Sequence, residues 1–253
     1  MRALNLPPAY RLIALDTVDS TNAEAKRLAA KGEAEIPDGT LIVAAEQTAG
    51  RGRRGRKWAS PRGNLYFSLV LRPEAPLAKA AELSFVASLA LYDALTGVGP
   101  AGFVVHCKWP NDVLLNQHKV AGILLEAETG KAAHPDWVIL GVGLNVAEFP
   151  AKAEFPASSL RAQGWNVSPE DCLEAFCRHF MVWTNTWLSD GFPPIRKNWL
   201  WRCWGKGEKI EVRLADKTVK GIFADLDQDG ALLLNTGKGQ RKITAGDVFF
   251  PKA

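Results

Sequence analysis

At 253 residues, 47% of them hydrophobic, the chain is long enough to bury one large core and a small second one. Its net charge of +4 is mild and much of the excess sits in a single loop, which argues for a local anionic ligand and against a whole basic face for DNA. The opening residues lack the apolar stretch of a secretory signal, and no apolar run is read as long enough to cross a bilayer. The four cysteines form no C-x-x-C pair, so reduced, buried thiols in the cytoplasm are expected.

Residues 9–16 (AYRLIALD) read as a strand, followed by Ser20-Thr21-Asn22 and an alanine-rich helix that Gly32 ends. Thr21 and Glu24 fit a capping box, with Ser20 or Thr21 as N-cap. Caps alone account for these polar residues, although a helix N-terminus also offers free N–H groups to an anion. Residues 40–46 (TLIVAAE) form a β-branched run, a buried strand that delivers Gln47 to the next segment.

That segment, residues 47–61, reads QTAGRGRRGRKWASP, with three glycines among four arginines and a lysine and no acidic residue. Glycine allows close backbone approach, and arginine clamps carboxylates and phosphates through two bonds at a time. Read alone, the loop is either an anion clamp or a solvated basic patch for nucleic acid. It is not a Walker loop, because the Gly-Lys-Ser/Thr ending is missing. With glycine-rich backbone and repelling arginines, residues 50–56 are expected to move freely until an anion supplies counter-charge.

Residues 65–72 (LYFSLVLR) read as a strand, and residues 77–96 as a helix covering one face of a sheet. Residues 103–108 (FVVHCK) form another strand, which Pro110 ends. Side chains alternate along a strand, so if Lys108 faces a ligand, Cys107 faces the core; His106 shares the lysine side and is expected to be structural. Strands come next over residues 113–115, 119–128 and 137–145. Gly122, Gly141 and Gly143 lie inside these apolar strands, where glycine costs stability unless something approaches closely; a ligand against them is expected. Residues 169–188 form an amphipathic helix with Leu173, Phe176, Phe180, Trp183 and Trp187 at helical spacing. Its tryptophans, with Trp199, Trp201 and Trp204, are expected in the core and at a domain junction. From Gly205 onward, short strands divided by glycine turns, notably Asp229-Gly230, indicate a small β-barrel.

Together, the GRGRRGR loop and Lys108-Trp109-Pro110-Asn111-Asp112 resemble the biotin protein ligase family from residue 9 onward. The resemblance implies an α+β fold: a class II synthetase-like mixed sheet with helices on one side (residues 1–203) and an SH3-like barrel (residues 204–253). It also implies that biotin and ATP, with Mg²⁺, form biotinyl-5′-AMP, and that biotin then passes to a lysine of a carboxylase's biotin carboxyl carrier domain. Catalysis would fall to Lys108 and Arg53. Biotin would be held by Ser20, Thr21, Asn22, Gln47, Arg51, Gly52, Arg53, Lys108 and Gly122. The adenylate would meet Arg51, Arg53, Arg54, Trp58, Asn111 and Asn145, with no metal ligand identified.

Some family members place a tryptophan before the segment matching Ser158-Ser159-Leu160; this chain has Ala157 there, with Phe155 nearby. Some also carry an N-terminal DNA-reading domain, for which the strand near residue 9 leaves no room, so neither DNA nor a membrane is an expected partner. Exposed edge strands point to a homodimer. The competing readings are a lipoate–protein ligase and a nucleic-acid module whose affinity falls steeply with salt.

Overall fold

The apolar runs of the sequence become the strands of two sheets in the computed structural model, which describes residues 2–128 and 134–251. The larger sheet comprises β1 (Arg11–Val18), β2 (Thr40–Gln47), β3 (Leu65–Leu71), β4 (Val105–Lys108), β5 (Asp112–Leu115), β6 (His118–Glu128) and β7 (Trp137–Leu144). Their spatial order is β1-β2-β3-β7-β6-β5-β4. Only β1 and β2 run parallel, so the sheet is mixed.

Alternation along β2 and β3 sends Leu41, Val43, Phe67 and Leu69 to one face and Ile42 and Val70 to the other. The first face is covered by α3 (Leu83–Val98) and α4 (Pro169–Asp190), which also pack on each other. Phe176 of α4 meets Phe67 with ring centroids 4.8 Å apart. The opposite face carries the short helix α1 (Thr21–Ala29) through Ala25 and Ala29. The long helices thus share one side as expected, while α1 lies on the other, its N-terminus at the mouth of a large cavity.

Several local expectations need correction. Residues 77–98 are in fact long and apolar enough, by composition, to span a bilayer. They break instead into α2 (Leu77–Ala80) and α3, with 61% of the most apolar window buried against the protein. Neither Ser20 nor Thr21 caps α1 with its own side chain, and Glu24 pairs with Arg27 at 2.7 Å. The capping box occurs at α4, where Ser168 Oγ accepts from Asp171 N at 3.1 Å and Asp171 Oδ2 accepts from Ser168 N. An unanticipated helix, α5 (Phe192–Trp201), begins with prolines in its first turn, where a missing N–H costs nothing. At its end Trp201 is 76% exposed, contrary to expectation, because it faces outward beneath the Arg202 guanidinium.

The smaller sheet comprises β8 (Lys209–Arg213), β9 (Thr218–Leu226), β10 (Leu232–Thr236), β11 (Gly239–Ile243) and β12 (Asp247–Phe249). All its pairings are antiparallel, in the order β11-β10-β9-β8-β12. Its apolar residues join the same core cluster as α3 and α4. Trp109 Nε1 donates to Gly230 O at 3.1 Å, and a Cβ on Gly230 would lie 2.5 Å from the Phe85 ring. The Asp229-Gly230 turn is therefore a contact with α3 and the β4–β5 turn as well as a hairpin corner. His106 packs edge-on against Trp204, 5.0 Å between centroids, which gives it a junction role. This docking brings β12, and with it Asp247, against the arginine loop.

Candidate active site

Residues of β2, β4, β5, β6 and β7, the N-terminus of α1, the arginine loop, residues 150–157 and β12 line a cavity of about 900 Å³, within the size range of small-molecule sites. Every site residue expected from the sequence lines it except Arg54. Ser68, behind the polar end, and Lys119 and Asp247 in the lining were not anticipated.

The polar end is built where β2 delivers Gln47 to the start of α1. Ser20, Thr21 and Asn22 are each less than 5% exposed. Gln47 Oε1 accepts from Thr21 N at 2.8 Å and from Thr21 Oγ1 at 3.1 Å, taking the place of a side-chain cap. Gln47 Nε2 donates to Ser60 Oγ at 2.8 Å, and Asn22 Nδ2 donates to Glu126 Oε2 at 2.8 Å. Ser68 Oγ lies 2.8 Å from Thr21 Oγ1 and 2.6 Å from Asn22 Oδ1, and its single proton serves one of them at a time. The signal for Ser68 was present as a hydroxyl within LYFSLVL, where a fully buried polar group requires partners.

The glycines form the floor. A Cβ on Gly143 would sit 2.5 Å from Trp58 Nε1, and one on Gly122 would sit 3.1 Å from the same indole. A Cβ on Gly141 would meet Asn22 Oδ1 at 1.9 Å. Close approach explains the glycines, as expected, but the approaching groups in this structure are Trp58 and Asn22. The buried Nε1 of Trp58 has no hydrogen-bond partner among the described residues.

Lys108, only 3% exposed, projects from the end of β4, while Cys107 faces the core with its thiol pushed up by burial. Burial also pushes Lys108 below the usual lysine range, against the pull of Asp112. Asp112 sits opposite Lys108 in the β4–β5 register. Its Oδ2 is 3.3 Å from Lys108 Nζ and its Oδ1 is 2.6 Å from Lys119 Nζ. Burial opposes ionisation of Asp112, but Lys119 and then Lys108 outweigh it and hold the carboxyl low. The ring of Phe155 lies 4.4 Å from Lys108 Nζ. Asn145 is buried and donates to Ser158 O at 3.1 Å.

The loop closes on itself through the Arg51–Lys57 bridge and a 2.7 Å bond from Gly52 N to Arg56 O. Arg53 is turned inward, donates to Asn111 Oδ1 at 3.1 Å and has its pKa lowered by burial. Arg54 adopts φ +56°, which swings it out of the cavity lining to 3.5 Å from Asp247 Oδ2. Arg56 Nη2 reaches the same oxygen at 2.5 Å. The expectation that this loop has nothing to hold it therefore missed a counter-charge from β12, more than 190 positions away. Asp247→Asn should release the loop, and limited trypsin digestion should cut within residues 51–57 several-fold faster than in the parent protein. Equal cleavage of the two would show that Asp247 does not restrain it.

Comparison with known proteins matches two stretches of the chain. Residues 6–201 match the biotin/lipoate A/B protein ligase family, and residues 207–250 match the biotin protein ligase C terminal domain. The biotin–[acetyl-CoA-carboxylase] ligase of Paracoccus denitrificans is 44% identical over 243 residues, covering 93% of this chain and 99% of that protein. The bifunctional ligase/repressor BirA of Bacillus subtilis (strain 168) is 35% identical over 243 residues, 94% of this chain and 73% of that one. Among solved structures, the biotin protein ligase from Aquifex aeolicus in complex with biotin and ATP superposes with a TM-score of 0.79 at 29% identity, covering 96% and 99% of the two chains. The family model matched over residues 6–201 and the 44% identical relative place this chain in the biotin/lipoate A/B protein ligase family.

Proposed function

We propose that this chain activates biotin with ATP as biotinyl-5′-AMP and transfers it to a lysine of a carboxylase's biotin carboxyl carrier domain. The observation that carries this reading is one cavity with a donor-and-acceptor-rich end (Thr21, Asn22, Gln47) and a cationic centre (Lys108, Arg53). A ureido ring needs both donors and acceptors, whereas a carboxylate meeting an α-phosphate needs fixed positive charge. We assign Ser20, Thr21, Asn22 and Gln47 to the ring, with Gly122 keeping the floor open. Lys108 bridges carboxylate and α-phosphate. Arg51, Gly52 and Arg53 hold the phosphate, while Trp58, Asn111 and Asn145 line its nucleotide side. Arg54 reaches the adenylate only if it leaves Asp247.

In the first step the biotin carboxylate oxygen attacks the α-phosphorus and the bond to pyrophosphate breaks. In the second, the neutral amine of the acceptor lysine attacks the acyl carbon, loses a proton and expels AMP. The protein's part is positioning and charge neutralisation in a site shielded from water. Among the described residues no three His, Cys, Asp or Glu side chains cluster as a metal site. That fits Mg²⁺ arriving on the phosphates of ATP as part of the substrate.

The nucleic-acid reading loses support because Arg53 turns inward and Arg54 and Arg56 are already paired with Asp247. Residues 1–203 serve in this proposal as the biotin and ATP domain, and residues 204–253 as the barrel that supplies Asp247. A cytoplasmic setting accords with free cysteines, three of them buried, at Cys107, Cys172, Cys177 and Cys203. The outer edge of β1 suits pairing with a second copy, in which case sedimentation equilibrium will show a dimer and a purely monomeric species will exclude one.

Pyrophosphate release measured with biotin, with lipoate and with neither tests the function. Release with biotin alone is expected; release with lipoate alone would make the protein a lipoate ligase. Lys108→Ala should remain folded and lose about 10²–10³-fold in adenylate formation, and near-parental release would remove Lys108 from this role. Arg53→Gly should still form the adenylate but let it escape faster, because a clamp and its tie to Asn111 are both lost. Equal dissociation rates of biotinyl-AMP from the two proteins would refute the clamp.

A further inference from the structure

The lysine that approaches Asp112 most closely is Lys119, to which the ligase reading assigns no role. Asp112 is 8% exposed and stands where β4, β5 and β6 meet. Its two oxygens are divided between two ammonium groups: Lys108 at 3.3 Å and Lys119 at 2.6 Å. The Lys119 backbone is fixed from both sides, its N–H donating to Pro156 O at 2.8 Å and its C=O accepting from Ser158 N at 3.0 Å. The β5–β6 register shifts between Val113 and Leu114, beside Lys119. Lys119 Nζ also lies 5.3 Å from the centre of the Trp58 ring that covers the glycine floor.

Charge balance gives this arrangement a function. Lys108 and Asp112 alone would be a buried neutral pair, and a neutral pair does little to bring two anions together. The carboxylate would also repel both of them at close range. With Lys119 added, the three groups carry one net positive charge. We propose that Lys119 is a positioning residue: it takes up the charge of Asp112, so that Lys108 meets the carboxylate and α-phosphate with its own charge uncancelled. Asp112 in turn separates the two ammonium groups and keeps them from repelling each other. The inference rests on the ligase reading and on Lys108 as its cationic centre.

Biotin-dependent pyrophosphate release by the full chain and its variants tests this, with folding followed by circular dichroism. Lys119→Gln leaves a neutral Lys108–Asp112 pair and should lower kcat for adenylate formation about 10²-fold, the effect expected of losing one preorganised charge. Lys119→Arg should recover most of that loss. The double variant Asp112→Asn, Lys119→Gln restores a net charge of one and should be several-fold faster than Lys119→Gln alone. A residue needed only for packing would make the double variant equal to the single one or worse. Parental kcat in Lys119→Gln, or a double variant no faster than the single, overturns the proposal. If Lys119→Gln does not fold, the double variant decides: release at or below one-hundredth of the parental rate, in a folded protein, overturns it. If the parent itself releases no pyrophosphate with biotin, the ligase reading fails, and this inference with it. Parental release combined with the wrong variant pattern removes only Lys119.

Discussion

Concentrated positive charge in a cavity from which water is partly excluded is the constraint around which this molecule is arranged. Lysine and arginine side chains of one sign, brought within a few ångströms, repel one another and lose hydration. Five of them are tied down by three polar or acidic groups. Asp112 lies between Lys108 and Lys119, Asn111 accepts from Arg53, and Asp247 meets Arg54 and Arg56. These partners are fewer than the cations they serve, which leaves a surplus for anionic substrates to neutralise.

The scaffold makes that surplus rigid at one point and adjustable at another. Lys108 is carried by a strand whose other edge contact is with residues 202–204, through Cys107 N to Arg202 O at 2.9 Å and Trp204 N to Cys107 O at 2.8 Å. A charge held so firmly needs no reorganisation when a reaction begins. The arginines sit instead on a glycine-containing loop, in which Arg54 and Arg56 are held by ion pairs to Asp247. The small barrel is thus part of the site, because Asp247 makes one of the loop's resting contacts.

The floor of the cavity obeys a different logic, steric rather than electrostatic. Gly141 and Gly143 pair with Ser68 and Tyr66 across the β3–β7 ladder, and their missing side chains leave room for Asn22 and Trp58. Trp58 closes this surface, and its buried Nε1 has no hydrogen-bond partner among the described residues.

Much of this was legible along the chain. Hydrophobic period and turn residues marked the strands and the change to a small barrel near Gly205, because burial on one face imposes a pattern that survives without the fold. The two motifs marked Lys108 and the arginine loop, and alternation along residues 103–108 placed Cys107 behind Lys108. Tertiary structure decided the rest. Ser20-Thr21-Asn22 followed by Glu24 has the form of a capping box, yet Gln47 from the next strand outcompetes it for the Thr21 N–H. Residues 77–98 have the apolarity of a membrane span, but the sheet supplies the apolar surface that a bilayer would otherwise provide. The ion pairs of Lys119 and Asp247 join residues of different elements, seven and some 190 residues distant, and local sequence carries no mark of a charge pair until folding brings its halves together.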